Sequence, residues 1–275
     1  MNLDALFSQP QALPTIPKVV QELIQSFNDE DVSVGDITRR LSADQVLSAR
    51  LLRLANSAYY HVSRTVATVG DAVTMLGFIN VRTLVIGAGL TGGFKGLAGM
   101  DLKQFWRHSL HTAVAARHLS KELGLNAELA FTVGLMHAIG QLVMHAGMPQ
   151  AMLQLDRTIN AMDPRRMELE RQTFGYSYID VGAELARRWK FPEEFSNGIA
   201  HSGQPLQQTP VNPVAAVVHI AAWRSRAEEN HLNAEEIEVG WPANVGAEIG
   251  LSGSALLQDL PAWAELSAGL EELIA

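Results

Sequence analysis

The chain has 275 residues, 47% of them hydrophobic and 18% charged, which indicates a globular protein with a well-buried core and excludes extensive disorder. The net charge of −8 argues against general nucleic-acid binding, which needs clustered Lys and Arg, although a small local basic patch stays compatible with it. The absence of cysteine excludes disulfides, thiolate zinc sites, iron–sulfur clusters and cysteine nucleophiles.

The N-terminal segment MNLDALFSQPQALP is polar and has neither a basic n-region nor an apolar h-region, so it does not look like a secretory signal. The longest apolar stretch suggested by the sequence, Val81 to Leu90, is far shorter than the roughly 20 residues that span a bilayer. We therefore expect a cytoplasmic protein with no membrane partner.

Helix signals dominate the first third of the chain. Apolar residues between Ile16 and Phe27 follow the i, i+3, i+4, i+7 pattern of one buried helix face. Ser33 and Thr68 are predicted to cap later helices, and a further apolar helix is predicted over Val81 to Leu90, ending at Gly92-Gly93. The glycine-rich stretch Thr91 to Met100 is the best candidate for a subdomain boundary.

Helix signals also dominate the rest of the chain. Asp101 is predicted to cap a long helix over 102–123, and Asn126 to cap a helix that runs to about Ala146 and carries the segment GLMHAIGQ. The pairs Asp163-Pro164 and Asn212-Pro213 predict two more helix starts. Strand signals are almost absent. The sequence therefore predicts an all-α fold of about a dozen helices.

Several of the nine histidines lie on separate predicted helices and could converge on one pocket in a helical bundle. A divalent metal that hydrolyses a phosphoester needs such convergence, and it also needs carboxylates to hold a hard cation. Those carboxylates are missing, because His137 is followed by Ala138 and His219 by Ile220. The sequence predicts no catalytic residue, no metal site and no cofactor.

A family resemblance becomes specific at these residues. The segment GLMHAIGQLV, 134–143, resembles the HD-domain phosphohydrolase signature, in which a His-Asp pair binds metal. The upstream segment LSADQVLSARLLRLANSAYY, 41–60, resembles the N-terminal half of the HDOD family, the HD-related output domain of bacterial signalling proteins. Further matching segments are LPTIPKVVQELIQSFND, VGDAVTMLGFINVRTLV, QFWRHSLHTA, ERQTFGYSYIDVGAELARRWKFPEEF and IAHSG. Together they cover roughly 12–225 in order and without large gaps.

The resemblance implies a multi-helix HD-like bundle preceded by an N-terminal helical subdomain. We predict an N-terminal helical half over 1–95, a degenerate HD-like half over 96–228, and a C-terminal helical tail over 229–275.

The ligand set that the resemblance implies is depleted in this chain. His108 matches the first histidine of the HD pattern, and His137 matches the histidine of the HD pair, whose aspartate is replaced by Ala138. Tyr178 stands where related sequences often have a histidine. His201 matches one histidine of a downstream His-His pair, with Ser202 in place of the second, and Ala222 occupies the place of the last aspartate. At most three imidazoles remain, and no carboxylate does.

Two interpretations of these residues stay open. The histidines either fill space, or they line a retained pocket for a small anion or a nucleotide, which would then include His108, His137, Tyr178 and His201. The segment that begins at Asn56 is equally open. Asn56, Ser57 and Tyr59 form either an exposed surface for a partner protein or a simple helix cap and turn.

The resemblance implies a bacterial signal-transduction module, whose partners would be signalling proteins of two-component or cyclic-di-GMP systems, and the missing carboxylates favour a non-catalytic one. The alternative is a metal-dependent phosphohydrolase with an atypical ligand set of histidines alone, His108, His137 and His201. A regulator linked to nucleic acid is a third hypothesis, and the acidic charge counts against it.

Overall fold

The structure is a computed structural model that describes residues 2–14, 16–25, 33–60, 62–94, 96–252 and 261–274. These residues form helices joined by turns, and none of them lies in a β-strand. The predicted all-α fold is confirmed.

The N-terminal half is a small helical layer whose helix starts were largely readable from the sequence. The Ser33 side chain accepts a hydrogen bond from the amide of Asp36, and that of Thr68 accepts one from Asp71, as the capping patterns predict. The apolar helix after Gly77 ends at Gly93, also as predicted. The helices are α1 (Leu3–Phe7), α2 (Lys18–Gln25), α3 (Val34–Ala43), α4 (Gln45–Ala55), α5 (Val69–Leu76) and α6 (Phe78–Gly93).

The HD-like half is a bundle built around the long helix that Asp101 caps. In it α7 packs against α8 and α14, while α12 packs against α9 and α13. Asn212 caps α14 as predicted, but the helix after Asp163-Pro164 begins two residues later than the pair suggested, at Arg166. The helices are α7 (Leu102–Glu122), α8 (Ala127–Met136), α9 (Ile139–Gly147), α10 (Pro149–Asp156), α11 (Arg166–Phe174), α12 (Tyr178–Arg188), α13 (Glu193–Ser202) and α14 (Pro213–Glu229).

The helix predicted to run from Asn126 to about Ala146 is interrupted at His137 and Ala138. The imidazole Nδ1 of His137 lies 2.7 Å from the carbonyl oxygen of Gly134. An unbroken helix would bond that oxygen to the amide of Ala138, so the side chain competes with the backbone for the same acceptor. The turn separates α8 from α9 and places His137 between them.

Two glycines allow helices of the bundle to approach at backbone distance. A Cβ built on Gly134 would lie 2.9 Å from the Cα of Ala113 on α7. A Cβ built on Gly140 would lie 2.0 Å from the carbonyl oxygen of Tyr178 and 2.8 Å from the amide nitrogen of Gly182 on α12. Because real Cβ atoms do not approach backbone atoms so closely, these positions set the spacing of α8 against α7 and of α9 against α12.

The C-terminal tail packs onto both halves. The hydroxyl of Thr91 on α6 donates a hydrogen bond to the carbonyl of Leu273 at 2.8 Å, and the ring of Trp263 stacks on His111 of α7 with centroids 4.7 Å apart. The tail contains α15 (Ala234–Val239), α16 (Ala243–Glu248) and α17 (Trp263–Leu266).

The two halves also meet at one guanidinium. Arg117 of α7 donates to the hydroxyl of Tyr59 and to the side-chain oxygen of Asn80, both at 2.8 Å, and it pairs with Glu128 of α8. This single side chain therefore joins the N-terminal layer to the bundle.

One stretch of the described residues, Ala127–Gly147, is long and apolar enough to cross a membrane by length and composition. It is longer than the stretch from Val81 to Leu90 singled out above, and 94% of its most apolar window is buried inside the protein. Such burial is what a core helix requires.

Candidate functional site

The site begins with two buried histidines from different helices. His108 of α7 and His137, at the turn between α8 and α9, place their ring centroids 5.1 Å apart in an edge-to-face arrangement. The Nδ1 of His108 lies 2.8 Å from the hydroxyl oxygen of Ser225, whose own hydrogen points to the carbonyl of His108 at 3.1 Å. That arrangement puts the Nδ1 proton on His108 and leaves its Nε2 as an acceptor.

Helix α14 contributes the opposite wall of the site. His219, Ala222 and Arg226 recur at three- and four-residue spacing, so they share one face of this helix. They line a cavity of about 70 Å³ that also includes residues from α11, α12 and α13. The other lining residues are His137, Pro164, Met167, Tyr178, Ile179, Ser202 and Gly203.

A smaller recess of about 10 Å³ lies next to this cavity and shares His137, Tyr178 and Arg226 with it. The recess reaches His108 and Gln141. The Gln141 side chain donates a hydrogen bond to the carbonyl of Ala161 at 3.1 Å. The cavity and the recess together are called the pocket.

The protonation of two of the histidines is fixed by the backbone. The Nδ1 of His137 faces the carbonyl of Gly134, and the Nδ1 of His219 lies 2.8 Å from the carbonyl of Ser202. A carbonyl can only accept, so each Nδ1 must carry the hydrogen, and each neutral ring keeps a bare Nε2. Burial is the largest effect on both rings and lowers the pKa of each to about 4, with a smaller contribution from the positive charge of Arg226.

The pocket carries one cation and almost no negative charge. No carboxylate lines the larger cavity, and the recess has one, Asp163, which is bonded to the guanidinium of Arg165 at 2.7 Å. Burial lowers the pKa of Arg226, although its guanidinium stays far above the neutral range. Burial also raises the pKa of Tyr178, which therefore keeps its hydroxyl proton at neutral pH.

Of the four residues predicted to line the pocket, the structure brings together His108, His137 and Tyr178. His201 is partly buried near the end of α13 and lines neither the cavity nor the recess. The imidazole of His219 is the downstream histidine that reaches the cavity. Arg226 was missed, although its seven-residue spacing from His219 on an apolar helix was a usable signal.

The donor set does not fit a hydrolytic metal centre. A centre built on a hard cation needs oxygen ligands that balance its charge. Among the described lining residues the one carboxylate is Asp163, which already pairs with Arg165, and the guanidinium of Arg226 lies in the same lining. Across the described ranges, no group of three or more His, Asp or Glu side chains is arranged to hold a metal ion.

A buried ion network supports the pocket from outside. Glu170 accepts hydrogen bonds from Arg166 at 2.8 Å and from the backbone amide of Tyr178 at 2.7 Å. Arg166 also pairs with Asp156 at 2.9 Å, and Asp156 contacts the imidazole of His145 at 2.8 Å. The network fixes the first residue of α12 and therefore the position of the Tyr178 ring.

In the segment predicted as a partner surface, the first residue, Asn56, stabilises the fold. The Asn56 side chain accepts from the amide of Val66 at 2.7 Å and donates to the carbonyls of Leu52 and Val66, so it closes the loop after α4. Tyr59 lines an open groove of about 650 Å³ between the N-terminal half, α7 and the tail. Tyr60, Asn80, Arg117, Lys121 and Glu265 also line it. The assignment of Asn56, Ser57 and Tyr59 to partner binding stays a prediction.

The buried neutral histidines predict acid destabilisation. The unfolded chain binds a proton at His137 near pH 6.5, whereas the folded chain does so only near pH 4. Protonation therefore favours the unfolded chain. The stability that comes from keeping His137 neutral is fully present above about pH 6.5 and is lost as the pH falls toward 4. We expect wild type to lose about 2 kcal/mol of unfolding free energy at pH 5 through His137 alone. Urea unfolding at pH 7.5 and pH 5 measures this loss.

The control for that measurement is a pair of variants. His137→Asn keeps an N–H where Nδ1 lies and removes the titration, so it should lose less stability between the two pH values than wild type. His231→Asn, at an exposed position, should behave as wild type does. Equal pH dependence in wild type and His137→Asn would contradict the expectation.

The fold and the grouping of buried histidines together define an HD-like helical protein. Comparison with known proteins gives the family: the HDOD domain model matches residues 13–205, and the chain belongs to the HDOD family. The predicted family resemblance is thereby confirmed.

Solved structures share the fold of this chain, and a curated relative is similar in sequence. A protein of Shewanella amazonensis described as a "Putative phosphohydrolase" is 32% identical, with 98% of each chain covered and a TM-score of 0.80. A "Putative signal transduction protein" of Marinobacter aquaeolei is 23% identical, with 95% of this chain and 58% of that chain covered and a TM-score of 0.70, which supports the fold. An uncharacterised Treponema pallidum protein is 26% identical over 82% of this chain, which spans 44% of that relative's length.

Proposed function

We propose that this HDOD protein is a non-catalytic, cytoplasmic module of bacterial signal transduction, which acts by binding a signalling protein and a small ligand. The observation that carries the proposal is the composition of the pocket. Ala138 and Ala222 stand where the HD pattern has aspartates, and the guanidinium of Arg226 lies among the remaining imidazoles.

Electrostatics supports this proposal over hydrolysis. A divalent cation in the pocket would be repelled by Arg226. Its candidate ligands would be neutral ring nitrogens and one carboxylate, Asp163, which already pairs with Arg165. Hydrolysis through a metal would require a bound ion to lower the pKa of its water, and Arg226 disfavours the binding of that ion in the pocket. The two neutral histidines also have pKa values near 4, which is too low for them to act as efficient general acids at pH 7.

The groove beside Tyr59 is the surface that we assign to the protein partner. It combines aromatic side chains with exposed charged ones such as Lys121, and a mixture of this kind is typical of transient interfaces. Through Arg117 the groove is linked directly to α7, the helix that carries His108.

The test combines turnover, metal content and partner capture with purified wild type. We expect no hydrolysis of bis(p-nitrophenyl) phosphate or cyclic-di-GMP with added Mg²⁺, Mn²⁺ or Zn²⁺, and no stoichiometric metal after dialysis. We also expect signalling proteins of the native host to be captured by wild type and lost with Lys121→Glu. The matched control is Lys103→Glu, a charge reversal at an exposed position on the same helix, outside the groove.

The phosphohydrolase with a histidine-only ligand set is the competing function, favoured by the name of the Shewanella amazonensis protein. Turnover that disappears in His137→Ala, together with a metal that survives dialysis, would overturn the proposal in its favour.

A further inference from the structure

Arg226 is a cation without an anion. Among the residues that the structure describes, no carboxylate pairs with its guanidinium and no side-chain hydrogen bond satisfies it. Asp163, the one carboxylate among the described residues that line the recess with Arg226, is already paired with Arg165. A partly buried guanidinium with five N–H donors and no partner is a strong attractor for an oxyanion.

Hydrogen-bond acceptors face the same space. The Nδ1 atoms of His137 and His219 are held by backbone carbonyls, and within the described residues neither Nε2 forms a hydrogen bond. The hydroxyl of Tyr178 is similarly without a partner in the described part of the chain and can donate. The cavity therefore offers donors from Arg226 and Tyr178 and acceptors from two imidazoles.

The size of the cavity limits the ligand. About 70 Å³ holds roughly two water molecules, at about 30 Å³ of liquid volume each, or one small polyatomic ion. Pockets for drug-sized or nucleotide-sized ligands are several times larger, roughly 300 Å³ or more. A ligand that this space holds entirely is therefore a small ion and not a whole nucleotide, which the sequence left open as a ligand.

We propose that the pocket binds a small oxyanion that still carries two hydroxyl groups, with free dihydrogen phosphate, H2PO4⁻, as the matching ion. Arg226 and Tyr178 donate to its unprotonated oxygens, and its P–O–H groups donate to the Nε2 atoms of His137 and His219. The inference rests on the proposed non-catalytic function of the pocket and names the class of its small ligand.

Because the pocket is lined by both hydrogen-bond donors and acceptors, we expect it to bind phosphate in preference to sulfate. Sulfate is fully deprotonated at neutral pH and brings only acceptors, so it would leave both Nε2 atoms unpaired and facing lone pairs. An unpaired buried polar atom is costly, and sites that are built to receive a hydrogen bond reject analogues that cannot donate it. Phosphate and sulfate have nearly the same size and shape, so the comparison isolates this one property.

The experiment is isothermal titration calorimetry of the full chain at pH 7.5 with inorganic phosphate, sulfate and AMP. We expect phosphate to bind, sulfate to bind at least about tenfold more weakly, and AMP not to compete with phosphate. Equal binding of phosphate and sulfate, or no phosphate binding, would overturn the inference. Competition by AMP would show that a phosphomonoester is the ligand and would overturn the assignment to the free ion.

Two variants locate the binding. Arg226→Met keeps an apolar stem of similar length and should weaken phosphate binding at least about tenfold. Ala222→Asp places a carboxylate one helical turn before Arg226, where it should pair with the guanidinium and abolish binding while the fold is retained. Arg224→Met, which removes the neighbouring cation that pairs with Glu228, should bind phosphate as wild type does. Unchanged binding in both Arg226→Met and Ala222→Asp would contradict the site.

This inference and the proposed function fail in different ways. Absence of phosphate binding leaves the turnover assay untouched, whereas phosphate release from a substrate would contradict the non-catalytic function whatever the calorimetry shows.

Discussion

Replacing Gly140 with alanine is expected to lower the free energy of unfolding by about 3 kcal/mol, at the upper end of the usual effect of overpacking. The added Cβ would meet the carbonyl oxygen of Tyr178 at 2.0 Å and the amide nitrogen of Gly182 at 2.8 Å. Both are backbone atoms, so no side-chain rotation can relieve the contact and α9 must move away from α12. Urea unfolding monitored by circular dichroism measures the loss.

Gly70→Ala is the matched control. Gly70 is also helical, in α5, and the nearest atom to its built Cβ is the hydroxyl oxygen of Thr68 at 3.7 Å, an ordinary contact. Alanine there should stabilise the protein by about 0.5–1 kcal/mol, because glycine is the poorer helix former. Similar effects of the two substitutions would show that α9 and α12 are not held at backbone distance.

Replacing Glu170 with alanine is expected to cost about 4 kcal/mol, because it strands the fully buried guanidinium of Arg166 without its closest anion. The same substitution removes the acceptor for the amide of Tyr178 at the start of α12. Burial raises the pKa of Glu170 to about 7, against the opposing effect of Arg166, so desolvation is large at this site. Thermal and urea unfolding measure the expected loss.

Two further variants serve as controls: one removes an exposed carboxylate from the same helix, and the other removes the charge of Glu170 but keeps a hydrogen-bond acceptor. Glu168→Ala, on the same helix, removes an exposed carboxylate that contacts only Gln172 among its described neighbours, and it should change stability by less than about 0.5 kcal/mol. Glu170→Gln keeps an acceptor for the amide and should cost less than alanine does. An effect of Glu170→Ala as small as that of Glu168→Ala would argue against a structural role for the network.

The helices were predictable wherever a local signal fixes them. Ser33, Thr68, Asp101, Asn126 and Asn212 each accept a backbone hydrogen bond at the helix start that the sequence assigned to them. A cap acts over three residues, so it can be read without knowledge of the fold. The interruption at His137 could not be read in this way, because it depends on a side chain that competes for one carbonyl.

The pocket was predictable only in part, because its lining depends on how distant helices meet. His108 and His137 were named from the HD pattern and do lie together. His201 was chosen over His219 because the pattern marks a histidine near the end of α13, whereas the packing of α14 brings His219 inward instead. The role that we propose for Arg226 follows from the lack of an unpaired acid beside it among the described residues, which is a property of the packed structure and not of any local motif.

The backbone contact at Gly140 has a consequence for how such a protein can change over time. At Gly140 the main chain of α9 comes so close to the main chain of α12 that a Cβ would meet backbone atoms, so this point of closest approach does not depend on a side chain at that position. Lining residues can therefore be exchanged one at a time while the scaffold keeps its shape and continues to fold. An architecture of this kind lets a lineage shed the ligands of a catalytic centre gradually and reuse the space that they leave.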